Sequence, residues 1–270
     1  MTTRRCLVVG SPIRHSRSPL IHRLFAEQSG LALCYERLEV APGSLSRELA
    51  GCRAAGVIGV NVTVPLKEEA WALAGHREPR CERAGAANTL WFTENGEVAA
   101  DNTDGIGLVR DLRALGVSLR GLRVLVLGAG GAARGIVPSL LEEAPAALVL
   151  ANRTVARAEL LADRFGITAA ALSERFEEPF DVVLNSTSAG LGGSDAPSIS
   201  RSAIAPTTFC YDLVYAREPT PFLRWASDLG VLRVADGLGM LVEQAAAAFE
   251  RWHGWTPHTR PVLEFLRKRA

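Results

Sequence analysis

Lysine is nearly missing from this chain. Of 30 basic side chains, two are lysines, Lys67 and Lys268. Arginine serves as well for surface charge but cannot release a proton near neutral pH. A lysine kept in mid-chain is therefore a candidate for acid–base work, whereas Lys268, close to the end, reads as tail solvation. The five cysteines (Cys6, Cys34, Cys52, Cys81 and Cys210) are odd in number and contain no C-x-x-C pair. They fit the reduced thiols of a cytoplasmic protein. The five histidines have no H-x-x-x-H spacing, so no metal is expected. No apolar run is long enough to span a membrane, and the opening MTTRRCLVVG lacks a signal-peptide layout. A net charge of +1 gives no reason to expect nucleic acid or an anionic membrane as partner. Neither Tyr-x-x-x-Lys nor Gly-x-Ser-x-Gly occurs, which argues against short-chain reductase chemistry and serine hydrolysis. There is no solenoid repeat and no low-complexity tract.

What the chain does have is a dinucleotide fingerprint in its middle. Leu122–Leu127 reads as a buried parallel strand. It runs into Gly128-Ala129-Gly130-Gly131-Ala132-Ala133, a G-x-G-x-x-A turn, followed by a helix over Gly131–Glu143 and a second apolar run at Ala146–Ala151. Gly128 allows the sharp turn, Gly130 lets backbone N–H groups approach a pyrophosphate, and Ala133 lets the helix lie close to the strand. An NAD site would carry an acid after the second strand. Here the chain reads Asn152-Arg153-Thr154-Val155-Ala156-Arg157, with two guanidinium groups, no acid and Thr154 as a possible helix cap. Cations in a first helical turn oppose the dipole, and paired arginines suit a 2′-phosphate, so NADP is the expected cofactor.

Before the fingerprint the pattern is β-α-β-α-β, with strands at Cys6–Gly10, Tyr35–Val40 and Val57–Val64 and helices from Ser18 to Gly30 and over Ser44–Ala55. The helix after Ser16-Arg17-Ser18-Pro19 has Ser18 as its expected cap. Ser16 and Ser18 share a loop at the mouth of the first strand, where a polyhydroxylated substrate could bind. The third strand ends Asn61-Val62-Thr63-Val64-Pro65-Leu66-Lys67, placing polar groups at its tip and Lys67 in the first turn of a helix, against the dipole. Glu68 or Glu69 could pair with Lys67, but that bland reading leaves the scarcity of lysine unexplained. Further on, Asn88-Thr89 leads into a hairpin turning at Glu94-Asn95-Gly96, and the return strand delivers Asp101-Asn102-Thr103-Asp104 to a helix that Asp104 could cap. Beyond the fingerprint come strands at Phe180–Leu184, Phe209–Val214 and Val231–Ala235, a mobile-looking Gly190–Ser200, and a helix from Met240 to Trp252 bordered by Gln244.

Taken together, SPIRHSRSP, NVTVPLKEEA, GAANTL, DNTDG, GAGGAARG, NRTVAR, YDLVY, TPFL and ADGLGMLVEQAA, in this order, resemble the shikimate dehydrogenase family over nearly the whole chain. The resemblance implies an α/β fold. Residues 1–104 would form a mainly parallel substrate domain, 105–236 a Rossmann NADP domain, and 237–270 helices returning to the first, with the active cleft between domains. It implies NADPH-dependent, reversible reduction of 3-dehydroshikimate to shikimate by a monomer or homodimer in the cytoplasm. Lys67 and Asp104 would be the catalytic pair, and Ser16, Ser18, Thr63, Asn88, Tyr215 and Gln244 would hold the substrate. Gly128, Ala129, Gly130, Gly131 and Ala132, Asn152 to Arg157, Leu213 and Gly237 would line the NADP site. Ala74–Arg83 and Asn185-Ser186-Thr187 depart from the family's usual wording. Two alternatives stay open: an NAD-dependent quinate/shikimate dehydrogenase, and a catalytically silent NADP-binding sensor.

Overall fold

The computed structural model describes residues 3–187 and 197–269, so most of the Gly190–Ser200 stretch lies outside the described residues. The chain folds as two compact units, one of Met1–Gly107 with Leu241–Arg269 and the other of Leu108–Met240.

The first unit holds a six-stranded sheet. Its strands are β1 (Arg4–Gly10), β2 (Leu33–Glu39), β3 (Val57–Val62), β4 (His76–Arg77), β5 (Thr89–Phe92) and β6 (Val98–Asp101), in the order β2-β1-β3-β5-β6-β4. β1 pairs in parallel with β2 and β3, whereas β5 runs antiparallel to both β3 and β6. The helices are α1 (Ser18–Ser29), α2 (Leu45–Ala54), α3 (Lys67–Leu73) and α4 (Pro79–Ala84). Strand alternation explains how β3 serves two layers. Val60 and Val62 join Leu45, Leu49, Leu66 and Ala70 in one core. Gly59 faces the other way, where a Cβ would stand 2.4 Å from the ring of Trp252. Asn61, two residues on, shares the face of Gly59.

The second unit is a parallel six-stranded sheet. Helix α5 (Asp104–Ala114) leads into β7 (Arg123–Leu127), α6 (Gly131–Glu142), β8 (Ala147–Asn152), α7 (Val155–Phe165), β9 (Thr168–Ala171), β10 (Val182–Asn185), β11 (Phe209–Asp212), α8 (Pro221–Asp228) and β12 (Arg233–Asp236). The order β12-β11-β10-β7-β8-β9, parallel throughout, is the doubly wound Rossmann arrangement. Alternation is clean on β7: Val124 and Val126 pack with Ile136, Leu140 and Leu161, and Leu125 and Leu127 pack with Phe222 and Leu223. These four apolar side chains of β7 are fully buried, each stabilising the sheet by about 1.5–3 kcal/mol. Helices α9 (Leu238–His253) and α10 (Thr259–Arg267) follow.

Two capping expectations are corrected. Helix α1 starts at Ser18 itself, Arg17 holds the cap position, and no side chain caps there. The hydroxyl of Ser16 accepts from the Ser18 N–H at 3.3 Å, so the cap-like bond comes from two residues upstream. Asp104 likewise lies inside α5, and its N–H is taken by Asn102 Oδ1 at 3.1 Å. Its own carboxylate is thereby left for other partners. Thr154 does occupy the cap position of α7 but makes no side-chain cap bond.

Candidate active site

Lys67 is the first residue of α3 and Asp104 the first of α5. They meet at 2.6 Å between Nζ and Oδ2, with relative exposures of 9% and 4%. The sequence left Glu69 as a rival partner for Lys67. Its carboxylate instead accepts from the N–H groups of Gly43 and Leu45 at 2.9 and 3.1 Å, serving the start of α2.

Around the pair stands a buried polar cluster. Asn88 Nδ2 donates to Asp104 Oδ1 at 2.8 Å, and also lies 3.0 Å from Thr103 Oγ1 and 3.3 Å from Gln244 Oε1. Gln244 Nε2 donates to the Leu241 carbonyl within α9, which turns its oxygen towards Asn88. Asn88 sits where β5 begins, and its backbone N–H donates to the Asp101 carbonyl. Asp101 is fully buried and held by both Nε and Nη2 of Arg80 from α4. The Ala74–Arg83 departure thus carries an arginine that neutralises the end of β6. Helix α4 and strand β4 were missed in the sequence because each is only a few residues long.

The serine loop reaches the same strand ends. Ser16 Oγ donates to Ser18 Oγ at 3.2 Å. Thr63 follows β3, its N–H bonded to the Val9 carbonyl. A Cβ on Gly10 would stand 2.4 Å from Thr63 Cγ2, so glycine there is what lets the two strand ends approach. Within the first unit, then, the structure gathers Lys67, Asp104, Asn88 and Gln244 into one network, and Ser16 with Ser18 into another. Thr103, Thr89 and Asn61 also join the first network; the sequence marked Asn61 only as a polar group at the tip of β3 and gave the two threonines no role. Tyr215 belongs to the second unit, three residues beyond β11.

In the second unit the fingerprint turn has the shape an anion cradle needs. Gly128 has φ +101°, and a Cβ on it would press on Ser186 Oγ and Thr187 Cγ2 at 3.0 Å. Gly130 is extended, with nothing within 4 Å of where a Cβ would stand, so the N-terminus of α6 is open on that side. Ala133 is fully buried, as close packing of α6 demands. At the end of β8, Asn152 Nδ2 donates to the Thr154 carbonyl at 2.9 Å. Arg153, Val155, Ala156 and Arg157 are exposed around the start of α7. Gly237 is also required: a Cβ there would lie 2.1 Å from the Leu213 carbonyl oxygen, so the exits of β11 and β12 touch through it. Asp212 at the end of β11 collects Asn185 Nδ2, the Val214 N–H and the Thr220 hydroxyl. Burial nevertheless pushes its carboxyl up to about 6. These residues fit a dinucleotide with a phosphate on its ribose: glycines where backbone must approach, a helix N-terminus, and two exposed guanidinium groups past the second strand. Among the described residues no cluster of His, Cys, Asp and Glu could hold a metal ion.

Comparison with known proteins agrees with this geometry. Residues 8–90 match the shikimate dehydrogenase substrate binding domain, 112–209 the shikimate / quinate 5-dehydrogenase model, and 237–264 the shikimate 5′-dehydrogenase C-terminal domain. The chain is 52% identical to a shikimate dehydrogenase (NADP(+)) of Alkalilimnicola ehrlichii, over 98% of this chain and 99% of the relative. A protein of the same description from Marinobacter nauticus is 51% identical over 99% of each. Among solved structures, the shikimate 5-dehydrogenase of Thermus thermophilus, in complex with NADP(H) and shikimate, superposes with a TM-score of 0.89. It is 36% identical and covers 99% of this chain and 100% of that one.

Proposed function

The chain belongs to the shikimate dehydrogenase family, and from that premise we propose that it reversibly reduces 3-dehydroshikimate to shikimate with NADPH, in the biosynthesis of chorismate and aromatic amino acids. The observation that carries the chemistry is the buried Lys67–Asp104 contact at 2.6 Å. NADPH, when bound, supplies the hydride that reaches the ring carbonyl carbon. Lys67 donates a hydrogen bond to the carbonyl oxygen as negative charge develops on it, then gives it a proton, so that C=O becomes CH–OH. In the reverse direction the lysine takes the hydroxyl proton. Asp104 holds Nζ in line, and arginine in its place could not exchange the proton. Asn88, Gln244, Thr63, Ser16, Ser18 and Tyr215 offer the amide and hydroxyl groups that suit the ring hydroxyls and carboxylate of such a substrate. Backbone N–H groups from Gly128 to Ala132 would hold the pyrophosphate and Asn152 to Arg157 the adenosine end, and Leu213 and Gly237 would line the same site. Arg153 and Arg157 favour NADP over NAD.

The described residues include no helix long and apolar enough to cross a membrane. The five cysteines are free, which suits a reducing compartment, and we place the protein in the cytoplasm as a monomer or homodimer. The test is loss of NADPH absorbance on adding 3-dehydroshikimate to the purified chain, with shikimate oxidation by NADP and NAD run alongside. The expected result is turnover in both directions with NADP preferred. A preference for NAD would make the chain a quinate/shikimate dehydrogenase of the other cofactor class. Tight NADP binding without turnover would make it a sensor.

A further inference from the structure

Behind Lys67 and Asp104 a row of polar groups crosses the sheet of the first unit, from β2 through β3 and β5 to α5. Tyr35 Oη donates to Asn61 Oδ1 at 2.7 Å. Asn61 Nδ2 donates to the Asn88 carbonyl at 3.1 Å and to Thr89 Oγ1 at 3.3 Å. Thr89 Oγ1 donates to Asn88 Oδ1 at 2.8 Å, and Asn88 Nδ2 donates to Asp104 Oδ1 at 2.8 Å. Asn61, Asn88, Thr89 and Asp104 are all buried, so a lost partner is not replaced by water without cost.

The sense of each link is fixed by backbone groups that have no choice. The Asn88 carbonyl only accepts, so the Asn61 atom facing it is the amide nitrogen, and the oxygen faces Tyr35. The phenol therefore donates, and burial keeps its proton on by pushing its pKa well above the ordinary value. At the far end the Thr103 N–H donates to Asn88 Oδ1 at 2.9 Å, which identifies that atom as the oxygen and leaves the NH2 for Asp104. Thr89 Oγ1 accepts from Asn61 and has two oxygens in reach, Asn88 Oδ1 at 2.8 Å and Thr103 Oγ1 at 3.4 Å; its proton goes to the nearer one. Every link thus donates towards Asp104. Were the Asn88 amide reversed, its oxygen would stand against a carboxylate oxygen.

We propose that Thr89, aligned by Asn61 and Tyr35, is a positioning residue whose hydroxyl locks the Asn88 amide with its NH2 on Asp104 and so holds that carboxylate against Lys67. The inference rests on reading Lys67 and Asp104 as the catalytic pair. Thr89 acts through Asn88.

The experiment compares Thr89→Val, which keeps the shape and removes the hydroxyl, with Thr89→Ser, which keeps the hydroxyl. For Thr89→Val, kcat for shikimate oxidation is expected to fall about tenfold while KM for NADP changes less than about twofold. The pH of half-maximal kcat should move by about half a unit or more, since the surroundings of the proton-transferring pair have changed. Thr89→Ser should restore both. A purely structural role for Thr89 would lower the amount of active protein, leave the pH midpoint in place and gain nothing from serine. Wild-type kcat and pH midpoint in Thr89→Val, or a serine variant as impaired as the valine one, overturns the proposal. Hydrogen exchange of the Asn88 side-chain amide, assigned by its loss in Asn88→Ala, reads the lock without turnover. Exchange should be faster in Thr89→Val than in wild type, and equal exchange also overturns the proposal. A wild-type chain that fails to oxidise shikimate overturns the assigned reaction instead, and the amide exchange then decides the lock alone.

Discussion

Replacing Lys67 by methionine keeps most of the side chain's bulk and deletes its charge and its proton. Two magnitudes follow from the geometry. A positioned acid–base group contributes about 10²–10⁴ in rate, and the ammonium also stabilises the developing oxyanion, so kcat should fall about 10³-fold or more. KM should change less than about threefold, because the hydroxyl-binding groups remain. The second magnitude concerns stability. Lys67 and Asp104 are 9% and 4% exposed, so solvent screens neither. Deleting one partner of such a pair costs about 3–5 kcal/mol, and Asp104 keeps the Asn88 amide, which puts the loss near the lower figure. Asp104→Asn on the Lys67→Met background removes the stranded charge. It should recover most of that stability and none of the activity. Steady-state rates from NADPH absorbance and equilibrium urea unfolding of the wild type, the single and the double variant provide the measurement. A Lys67→Met chain with kcat within tenfold of wild type would refute the catalytic reasoning. A double variant as unstable as the single one would refute the electrostatic reasoning. A large rise in KM with kcat intact would make Lys67 a binding residue.

The other predictions concern the two ends of the molecule's chemistry. Arg153→Ala combined with Arg157→Ala should raise KM for NADP about tenfold or more and leave NAD turnover nearly unchanged; equal effects on both cofactors would show that the arginines do not read the 2′-phosphate. His22 is fully buried on α1 and stacked 4.1 Å from the ring of Tyr35. Burial first, and the charge of His253 second, push its pKa from 6.5 down to about 3. A folded value below the unfolded one means stability present above pH 6.5 and lost as pH falls through that window towards 3, by up to about 5 kcal/mol. His22→Phe keeps a ring in the stack and cannot titrate, so its unfolding curve should lose much of this acid sensitivity. Superimposable acid limbs for variant and wild type would contradict the sign and the cause together.

How much of this was legible in the sequence varies with the distance between the residues concerned. The second unit was nearly all visible, because β7, the Gly128–Gly131 turn, α6 and β8 are consecutive and each announces itself by local chemistry: β-branched runs, a glycine at positive φ, small residues under a helix. Strand β9 escaped notice because Thr168-Ala169-Ala170-Ala171 carries no strand signal of its own; it forms because β8 offers an open edge. The meeting of Lys67 with Asp104 spans 37 residues of chain and was legible only through the scarcity of lysine and the family resemblance. Asn61, Thr89 and Thr103 were invisible as a group. Threonine and asparagine are common strand and turn residues, and nothing local says that β3, β5 and the turn before α5 bring them together around Asn88. The caps misled for a related reason: Ser18 and Asp104 have the right side chains for capping, but Ser16 and Asn102, two residues upstream of each, make the bonds.

The second unit is one uninterrupted stretch, Leu108–Met240, set into the sequence of the first. During synthesis the six strands of the first sheet are made before it, whereas the segment from Leu241 onward is made last. That late segment supplies Trp252, whose ring lies against Gly59 and whose Nε1 donates to the Leu90 carbonyl at 3.0 Å. It also supplies Gln244 beside Asn88, and His258, whose backbone exchanges two hydrogen bonds with Gln28. The second unit is complete in the chain while the unit bearing Lys67 still waits, its β3 and β5 without the helix that covers them. A nascent chain halted before Leu241 lacks Gln244 and Trp252, so the network around its one mid-chain lysine is still incomplete.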